Sequence, residues 1–284
     1  MRTYTVKAGD TLGKIARKLS VSMDGIVRLN NIRNPDRIRA GTVLLIPELT
    51  TDAMDAVSLP VEQPAPQGEV SSAIPINRSK FVLPTKEFFP EVVDKDLIVL
   101  HFTAGQSAQS AFNTWMNNSE RVATAYIVDP DGTIYELFDP SYWAFHLGVK
   151  GAGGVHDKRS IGIEIANVGP LKQSASDPNR LDWWPNNWGT PWCRLDETGR
   201  YVRAPFRGIP YFASFPEPQV AAVARLTAYL CERFGVPKNL PARTRRKECD
   251  TVYYGARKGV VAHQNFRPDK WDVGPAFDWE RLGF

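Results

Sequence analysis

The stretch LIVLHF, residues 97–102, decides the fold of the larger part of this chain. Its four leading apolar residues, Leu97–Leu100, are typical of a strand that is buried inside a sheet. His101 then stands where the strand leaves the sheet, and the ends of such strands are where binding sites form. The stretch therefore predicts an α/β domain with a functional histidine at the edge of its sheet.

A second segment, HQNFRPDKWD at residues 263–272, supplies partners for His101. It follows the strand-like Val260–Ala262, so its side chains would lie on a loop held by a rigid element. Two imidazoles, His101 and His263, and the Asp272 carboxylate are a sufficient protein ligand set for a catalytic Zn²⁺ with one open position. A lone histidine at a strand end is more often structural, so the combination carries the prediction of a zinc site.

The run SIGIEI, residues 160–165, places an acidic side chain in an apolar strand. Strand alternation puts Glu164 on the same face as Gly162, opposite the isoleucines. A buried carboxylate has a raised pKa and, beside a zinc-bound water, is suited to take that water's proton. A structural glutamate in a salt bridge explains the motif equally well. Lys270 could stabilise the oxyanion of a tetrahedral intermediate, although an isolated loop lysine is usually solvated.

Together these segments resemble the type 2 N-acetylmuramoyl-L-alanine amidases, relatives of the peptidoglycan recognition proteins, over roughly residues 80–284. The resemblance implies a mixed β-sheet flanked by helices. It implies that His101, His263 and Asp272 bind zinc, that Glu164 activates water and that Lys270 supports the transition state. It also implies that the bond cleaved is the amide between the lactyl group of N-acetylmuramic acid and the L-alanine of the stem peptide.

Further positions of the chain match this family less closely. The segment Ala144–Gly148 looks like the family's Trp-His-Ala-Gly segment with Phe145 in the tryptophan position, which makes His146 a candidate substrate-binding residue. A histidine satisfied by a backbone hydrogen bond fits that segment as well. Tyr126 is not expected to be catalytic, because the residues before it depart from the phage-type pattern. His156 matches no ligand position and is expected on a surface loop.

The N-terminal residues 3–48 begin with strand alternation, continue with a helical run over residues 12–19 and end with a second strand at Thr42–Pro47. An intervening apolar periodicity completes a small βααβ unit. Its core should be supplied by Ile15, Leu19, Ile26, Leu29, Val43 and Leu45. The unit resembles a LysM module. The resemblance implies binding of glycans that contain N-acetylglucosamine, through a set of loop residues: Gly9, Asp10, Thr11, Leu12 and Asn31.

These features predict a LysM domain at residues 1–48, a proline- and serine-containing linker at 49–80 and a zinc amidase domain at 81–284. Helices near residues 107–116 and 219–234 should cover the sheet. A tether of this kind would raise the effective concentration of the catalytic domain at the bacterial wall. A tryptophan-rich insertion at about 170–216 could wall the substrate groove, bind a partner or simply pack over the sheet.

Composition is consistent with two globular domains, since 43% of the 284 residues are hydrophobic. The formal net charge of +4 is mild, which favours attraction to an anionic wall over recognition of nucleic acid. The three cysteines lack metal-site spacing, and Cys231 is expected in the core. The sequence does not decide whether one disulfide forms. No stretch predicts a membrane span.

No apolar signal-peptide region is recognisable at the start of the sequence. The sequence therefore predicts synthesis in the cytoplasm and action at the bacterial wall or periplasm, reached through phage lysis or a dedicated secretion route. A delivery or immunity protein would then be a partner. The competing class is a non-catalytic peptidoglycan receptor or wall anchor, which the joint presence of His101, His263 and Asp272 disfavours.

Overall fold

A computed structural model describes residues 2–7, 10, 12–19, 26, 29–30, 32, 38–46, 74–117, 120–185 and 189–284. The contacts divide the chain into two compact units, residues 1–67 and 68–284. Three of the residues singled out above, Gly9, Thr11 and Asn31, lie outside the described residues, as do positions 49–73 of the predicted linker and 186–188 of the predicted insertion. In the described part of the chain, no helix combines the length and the apolar character that crossing a membrane requires.

The N-terminal unit pairs β1 (Arg2–Thr5) with β2 (Val43–Ile46) in an antiparallel ladder, and α1 (Leu12–Leu19) lies between them in sequence. The small core contains Val6, Leu12, Ile15, Ile26, Leu44 and Ile46. The prediction that Val43 and Leu45 point into this core was wrong. Val43 is 59% exposed, because strand alternation sends its neighbours Leu44 and Ile46 inward instead.

The larger unit contains two sheets built from these described strands: β3 (Ile76–Asn77), β4 (Leu97–Phe102), β5 (Tyr126–Val128), β6 (Ile134–Glu136), β7 (Ser160–Ile165), β8 (Pro170–Gln173), β9 (Arg180–Trp183), β10 (Pro191–Arg194), β11 (Tyr201–Phe206), β12 (Ile209–Ala213) and β13 (Gly259–Ala262). The first sheet has the order β13-β4-β7-β5-β6-β3 and is mixed, with β5 and β6 antiparallel. The strands β13, β4, β7 and β5 run parallel to one another. The predicted mixed α/β fold is confirmed.

Helices α2 (Ala108–Met116), α3 (Val155–Lys158), α4 (Glu217–Phe234) and α5 (Thr251–Ala256) accompany this sheet, with 3₁₀ turns at Thr85–Glu87, Thr198–Arg200, His263–Asn265 and Trp279–Leu282. One face of β4 presents Ile98 and Leu100 to the main core, which includes the apolar side of α4. The other face presents Leu97 and Val99 to a second cluster with Tyr254. The strand is therefore buried on both faces, as its unbroken apolar run predicts.

The predicted insertion forms a separate antiparallel sheet of order β10-β9-β8-β12-β11. Its own core consists of Val168, Leu171, Leu181, Cys193 and Ala213. The sequence did not predict this sheet. All three cysteines are free thiols; Cys193 and Cys231 are buried, and Cys249 is exposed.

Candidate functional site

Three parallel strands of the first sheet end side by side at the candidate site. In the register of β4 and β7, His101 lies opposite Glu164. In the register of β13 and β4, Ala262 lies opposite Leu100, so the next residue, His263, comes beside His101. The carboxyl ends of neighbouring parallel strands thus collect residues that are far apart in the sequence.

The side chains of His101, His263 and Asp272 converge on one point. The Nδ1 atoms of the two histidines are 3.0 Å apart. Asp272 Oδ2 lies 2.9 Å from Nδ1 of His263 and 3.2 Å from Nδ1 of His101. These residues are 2%, 5% and 6% exposed, in the order His101, His263 and Asp272. Among the described residues, they form the group whose ligand atoms are close enough to hold a metal ion.

This donor set fits a small tetrahedral cation. Ligands about 2.0–2.1 Å from a tetrahedral zinc ion are separated from one another by about 3.3 Å, close to the distances observed here. The position of the His263 proton also fits metal binding, because Nε2 of His263 donates to the carbonyl oxygen of Leu147 at 2.9 Å. A neutral His263 then keeps the lone pair of Nδ1 directed toward His101 and Asp272.

A chain of hydrogen bonds orients His101 in the same way. The Ser160 hydroxyl donates to the carbonyl oxygen of His156 at 2.7 Å and lies 2.8 Å from Nε2 of His146. Nε2 of His146 therefore donates to Ser160, and its Nδ1 accepts from Nε2 of His101 at 2.9 Å. Nδ1 of His101 is left without a proton, as metal ligation requires.

His146 therefore holds a position that the sequence did not predict. Both of its ring nitrogens contact side chains. Among the described residues neither contacts a backbone carbonyl group, which was the arrangement considered from the sequence. The His146 ring also lines the cavity beside the three ligand atoms, so a contact with substrate stays a prediction.

Burial and neighbouring charges set the protonation states of the cluster. Burial lowers the pKa of His101 to about 4, and lowers the pKa of His146 well below its ordinary value. Burial alone would raise the pKa of Asp272, but the contacts with His263 and His101 outweigh it and lower that pKa. Neutral imidazoles and an ionised carboxylate are the forms that bind a divalent cation.

The predicted catalytic side chains line the same cavity, of about 350 Å³, as the three candidate ligands. Burial raises the pKa of Glu164 well above its ordinary value; the negative charge of Asp272 raises it further, and Lys270 opposes both. In the described part of the chain, Oε2 of Glu164 is buried without a hydrogen-bond partner and Glu164 forms no ion pair. A structural salt bridge, the alternative reading of Glu164, is therefore not observed among these residues.

The positions of Tyr126, His156 and Leu12 also bear on the predictions. Tyr126 is buried and donates to Glu136 at 2.7 Å, and it does not line the cavity. His156 lies on α3 instead of the expected loop, and it does not line the cavity either. In the N-terminal unit, Asp10 accepts hydrogen bonds from Tyr4 and from the backbone of Lys7. Leu12 is 1% exposed, so its side chain packs in the core and cannot contact a glycan.

Gln264 positions the Asp272 ligand, a role that no sequence pattern indicated. Its backbone N–H donates to the Asp272 carbonyl oxygen at 2.7 Å, and its side-chain oxygen accepts from the N–H of Gly274 at 3.0 Å. Asn265 similarly fixes the start of the segment, since its side chain accepts from Ala262 and donates to two backbone carbonyl groups. Gln264 and Asn265 lie between His263 and Phe266, and the sequence has no spacing pattern that would reveal the contacts of these two amide side chains.

Further residues complete the cavity wall. Thr124 and Trp115 line it from the first sheet's side, while Pro170 and Pro185 belong to the insertion. Two prolines of the insertion thus form part of the cavity wall, and a substrate groove walled by the insertion stays a prediction. The tryptophan side chains of the insertion that are described do not line this cavity.

Comparison with known proteins gives the family of the chain. The profile of the N-acetylmuramoyl-L-alanine amidase family matches residues 92–275, and that of the LysM domain matches residues 4–47. The chain is 36% identical over 81 residues to the N-acetylmuramoyl-L-alanine amidase XlyA of Bacillus subtilis (strain 168), a match that covers 28% of this chain and 26% of that protein. It is 43% identical over 61 residues to the secreted LysM effector ECP6 of Passalora fulva, covering 21% of this chain and 27% of that protein.

The similarity of the chain to solved structures is weaker than its sequence similarity to the two relatives. The complex of the E. coli amidase AmiD with an anhydro-N-acetylmuramic acid peptide has 24% identity and a TM-score of 0.42, and the match covers 66% of this chain and 56% of that one. The catalytic domain of XlyA has 15% identity and a TM-score of 0.38, over 69% of this chain and 88% of that one.

The matches to the two curated relatives span about a quarter of the length of each. The family profile, in contrast, extends over more than half of the 284 residues and includes His101, Glu164, His263, Lys270 and Asp272. The chain belongs to the N-acetylmuramoyl-L-alanine amidase family.

Proposed function

We propose that this chain is a zinc-dependent peptidoglycan hydrolase. Its substrate would be the amide bond between the lactyl group of N-acetylmuramic acid and the L-alanine of the stem peptide. The observation that carries the proposal is the convergence of three ligand atoms, within 2.9–3.2 Å of one another, in a cavity that Glu164 and Lys270 also line. Family membership supports the same reaction.

His101, His263 and Asp272 would hold the zinc ion through Nδ1, Nδ1 and Oδ2. When bound, zinc supplies Lewis acidity that polarises the scissile carbonyl group and makes water more acidic. Glu164 takes the proton of the attacking water and later delivers a proton to the leaving amine of L-alanine. A carboxyl group with a raised pKa is suited to both transfers, because its two protonation states lie closer in energy at neutral pH.

Lys270 would act on the charge that develops during attack. Its ammonium group is a fixed positive charge at the cavity wall, where the oxygen of the scissile carbonyl becomes negative. Such a charge stabilises the tetrahedral transition state more than the neutral substrate, which is the requirement for catalysis.

The N-terminal unit would bind wall glycans that contain N-acetylglucosamine. Glycan binding by this unit would keep the catalytic unit near stem peptides and raise its effective concentration there. The match of residues 4–47 to the LysM domain supports this role. Gly9, Asp10, Thr11 and Asn31 remain the proposed contacts, with Leu12 contributing its backbone alone.

We place the site of action at the bacterial cell wall or periplasm, reached through phage lysis or a dedicated secretion route. In either setting the protein would act as an antibacterial lytic enzyme, as an endolysin or as a secreted effector. A delivery protein or an immunity protein would accompany a secreted effector. The chemistry of the substrate supports the location, since stem peptides occur in the wall.

Digestion of purified peptidoglycan tests this function. Mass spectrometry should find intact stem peptides with a free L-alanine amine after incubation with the zinc-loaded protein, and none after chelation. The Glu164→Gln variant should release about 10²–10⁴-fold less product, the range for loss of a general base. Glu232→Gln, at an exposed glutamate on α4, is the control and should match the wild type. Glycan binding with unchanged peptidoglycan would instead indicate a receptor or wall anchor.

A further inference from the structure

The insertion reaches the active-site segment through the tip of one hairpin. Strands β11 and β12 pair Phe206 with Ile209, which leaves Arg207 and Gly208 as a two-residue turn. Both turn residues have positive φ angles, 46° for Arg207 and 77° for Gly208. Turns of this type favour asparagine, aspartate or glycine at both positions, because glycine has no Cβ atom and asparagine and aspartate tolerate positive φ angles better than other residues. Arginine is therefore not the residue that the turn itself favours.

The Arg207 side chain leaves its own sheet and contacts the segment between the second histidine ligand and Asp272. Its guanidinium group donates to the carbonyl oxygens of Gln264 at 2.9 Å and Arg267 at 2.8 Å, and also to that of Lys270. In return, the indole N–H of Trp271 donates to the carbonyl oxygen of Arg207 at 3.4 Å. The hairpin tip and the segment are thus joined in both directions.

No carboxylate accounts for these contacts. None of the ion pairs among the described residues includes Arg207. Burial lowers the pKa of its guanidinium group, so the cation is partly removed from water. Its described hydrogen-bond acceptors are backbone carbonyl groups, and it also lies 4.8 Å from the centroid of the Phe206 ring. A guanidinium group has five N–H donors in a fixed plane, which suits it to hold several acceptors at once.

Within this segment, the turn at residues 267–270 has long backbone hydrogen bonds, and the Arg267 side chain forms an ion pair with Asp269 across it. The backbone N–H groups of Arg267 and Lys270 reach their acceptors at 3.3 Å and 3.4 Å, near the long limit for such bonds. Arg207 holds the carbonyl groups of Arg267 and Lys270 at the two ends of this turn, and that of Gln264 before it. The turn sets where the Lys270 side chain starts and where the chain re-enters the cavity at Asp272.

We propose that Arg207 is a positioning residue that fixes Lys270 and Asp272, so that the insertion is part of the active site's support. This inference rests on the proposed function. Catalysis is sensitive to such support, because a misplacement of about 1 Å in a reacting group can lower a rate by about 10²-fold.

The informative variant is Arg207→Asn. Asparagine suits the two-residue turn, so the hairpin should fold at least as well as in the wild type, while the guanidinium contacts are lost. We expect kcat to fall about 10–100-fold with KM changed much less. We also expect affinity for zinc to fall about 10-fold in competition with a chromophoric chelator. Amide hydrogen exchange should become faster over residues 264–272.

We call the contacts of the Arg207 guanidinium group with the carbonyl groups of Gln264, Arg267 and Lys270 the clamp. Two further variants separate the clamp from simpler explanations. Arg203→Asn removes an exposed arginine from the same hairpin and should leave kcat, zinc affinity and exchange unchanged. Arg207→Lys keeps the positive charge but lacks the planar fork, and should resemble Arg207→Asn. Full activity of Arg207→Lys would assign the effect to charge and overturn the clamp.

The proposal and the proposed function fail in different ways. An inactive zinc-loaded wild type would overturn the function, and zinc affinity and hydrogen exchange would still decide the clamp. An active wild type together with an Arg207→Asn variant of unchanged kcat, zinc affinity and exchange would overturn the clamp alone.

Discussion

The protonation of Glu164 is the property of a single residue on which the proposed reaction depends most. Its pKa is raised, mainly by burial, so it is ionised only at higher pH than an ordinary glutamate. Since only the ionised form accepts a proton, kcat/KM should fall as the pH drops through this raised pKa, above the ordinary 4.5. A profile of kcat/KM against pH on a soluble muramyl peptide measures this.

Zinc retention supplies the control for that profile. Burial lowers the pKa of His101 to about 4, so His101 stays neutral and able to bind a metal at pH values where Glu164 is already protonated. Zinc content measured across the same pH range should therefore not fall through protonation of His101 while activity falls. Simultaneous loss of zinc and activity would show that the acid limb reports ligand protonation and not Glu164.

His146 should matter for metal binding as well as for any contact with substrate. It accepts from His101 and donates to Ser160, and so fixes which nitrogen of His101 carries the proton. Loss of such a partner typically weakens metal binding about 10–100-fold. We expect His146→Ala to show that loss in a chelator competition. The control is His156→Ala, a histidine outside the cavity, and equal zinc affinity of the two variants would contradict the hydrogen-bond chain.

At the scale of elements, strand β7 depends on a glycine for its place beside the cavity. A Cβ atom added to Gly162 would lie 2.6 Å from Thr124 Cγ2 and 3.3 Å from His146 Nδ1. Overpacking of this kind typically destabilises a protein by about 1–3 kcal/mol. Gly162→Ala should therefore lower the free energy of unfolding in urea, and Thr124→Ser should restore part of it by removing the nearest methyl group.

Gly199→Ala is the matched control for this substitution. Gly199 has no neighbouring atom within 4 Å of an added Cβ and does not have a positive φ angle. The change in free energy of unfolding should be within about 0.5 kcal/mol, as for most surface substitutions. If both glycine variants unfold at the same urea concentration, the close approach of β7 to Thr124 does not limit stability.

The sequence predicted the elements with strong periodicity. The unbroken apolar run of β4, the alternation of β7 and the apolar faces of α2 and α4 each give a clear signal, because burial on one or both faces restricts residue type. The ends of those strands located His101, Glu164 and His263 correctly at one edge. Alternation alone did not define the phase of β2, where every residue is apolar and either face could be buried.

Other features depend on long-range contacts that leave no local pattern. The short strands of the insertion carry mixed polar and aromatic residues, so their pairing into a sheet was not predicted. The tautomer of His101 follows from Ser160 and a backbone carbonyl group, and the clamp at Arg207 follows from three carbonyl groups. Backbone acceptors are the same in every sequence, which is why the residues that bind them escaped detection.

For the whole molecule, the two units should contribute separately to activity on the wall. Soluble oligomers of N-acetylglucosamine should compete for the N-terminal unit and slow release of stem peptides from insoluble peptidoglycan, about 10-fold or more, because tethering is lost. Hydrolysis of a small soluble muramyl peptide should be unaffected by the same oligomers. Equal inhibition of both substrates would show that the oligomers act at the catalytic cavity, contrary to the proposed tether.

The most direct measurement is hydrolysis of peptidoglycan in water enriched in oxygen-18, followed by mass spectrometry of both products. Cleavage of the proposed amide by the zinc-loaded protein should place one oxygen-18 atom in the lactyl carboxylate of N-acetylmuramic acid and leave a free, unlabelled amine on L-alanine. Label at a sugar carbon or within the stem peptide, or no label in any product, would contradict the assignment of this chain as an N-acetylmuramoyl-L-alanine amidase.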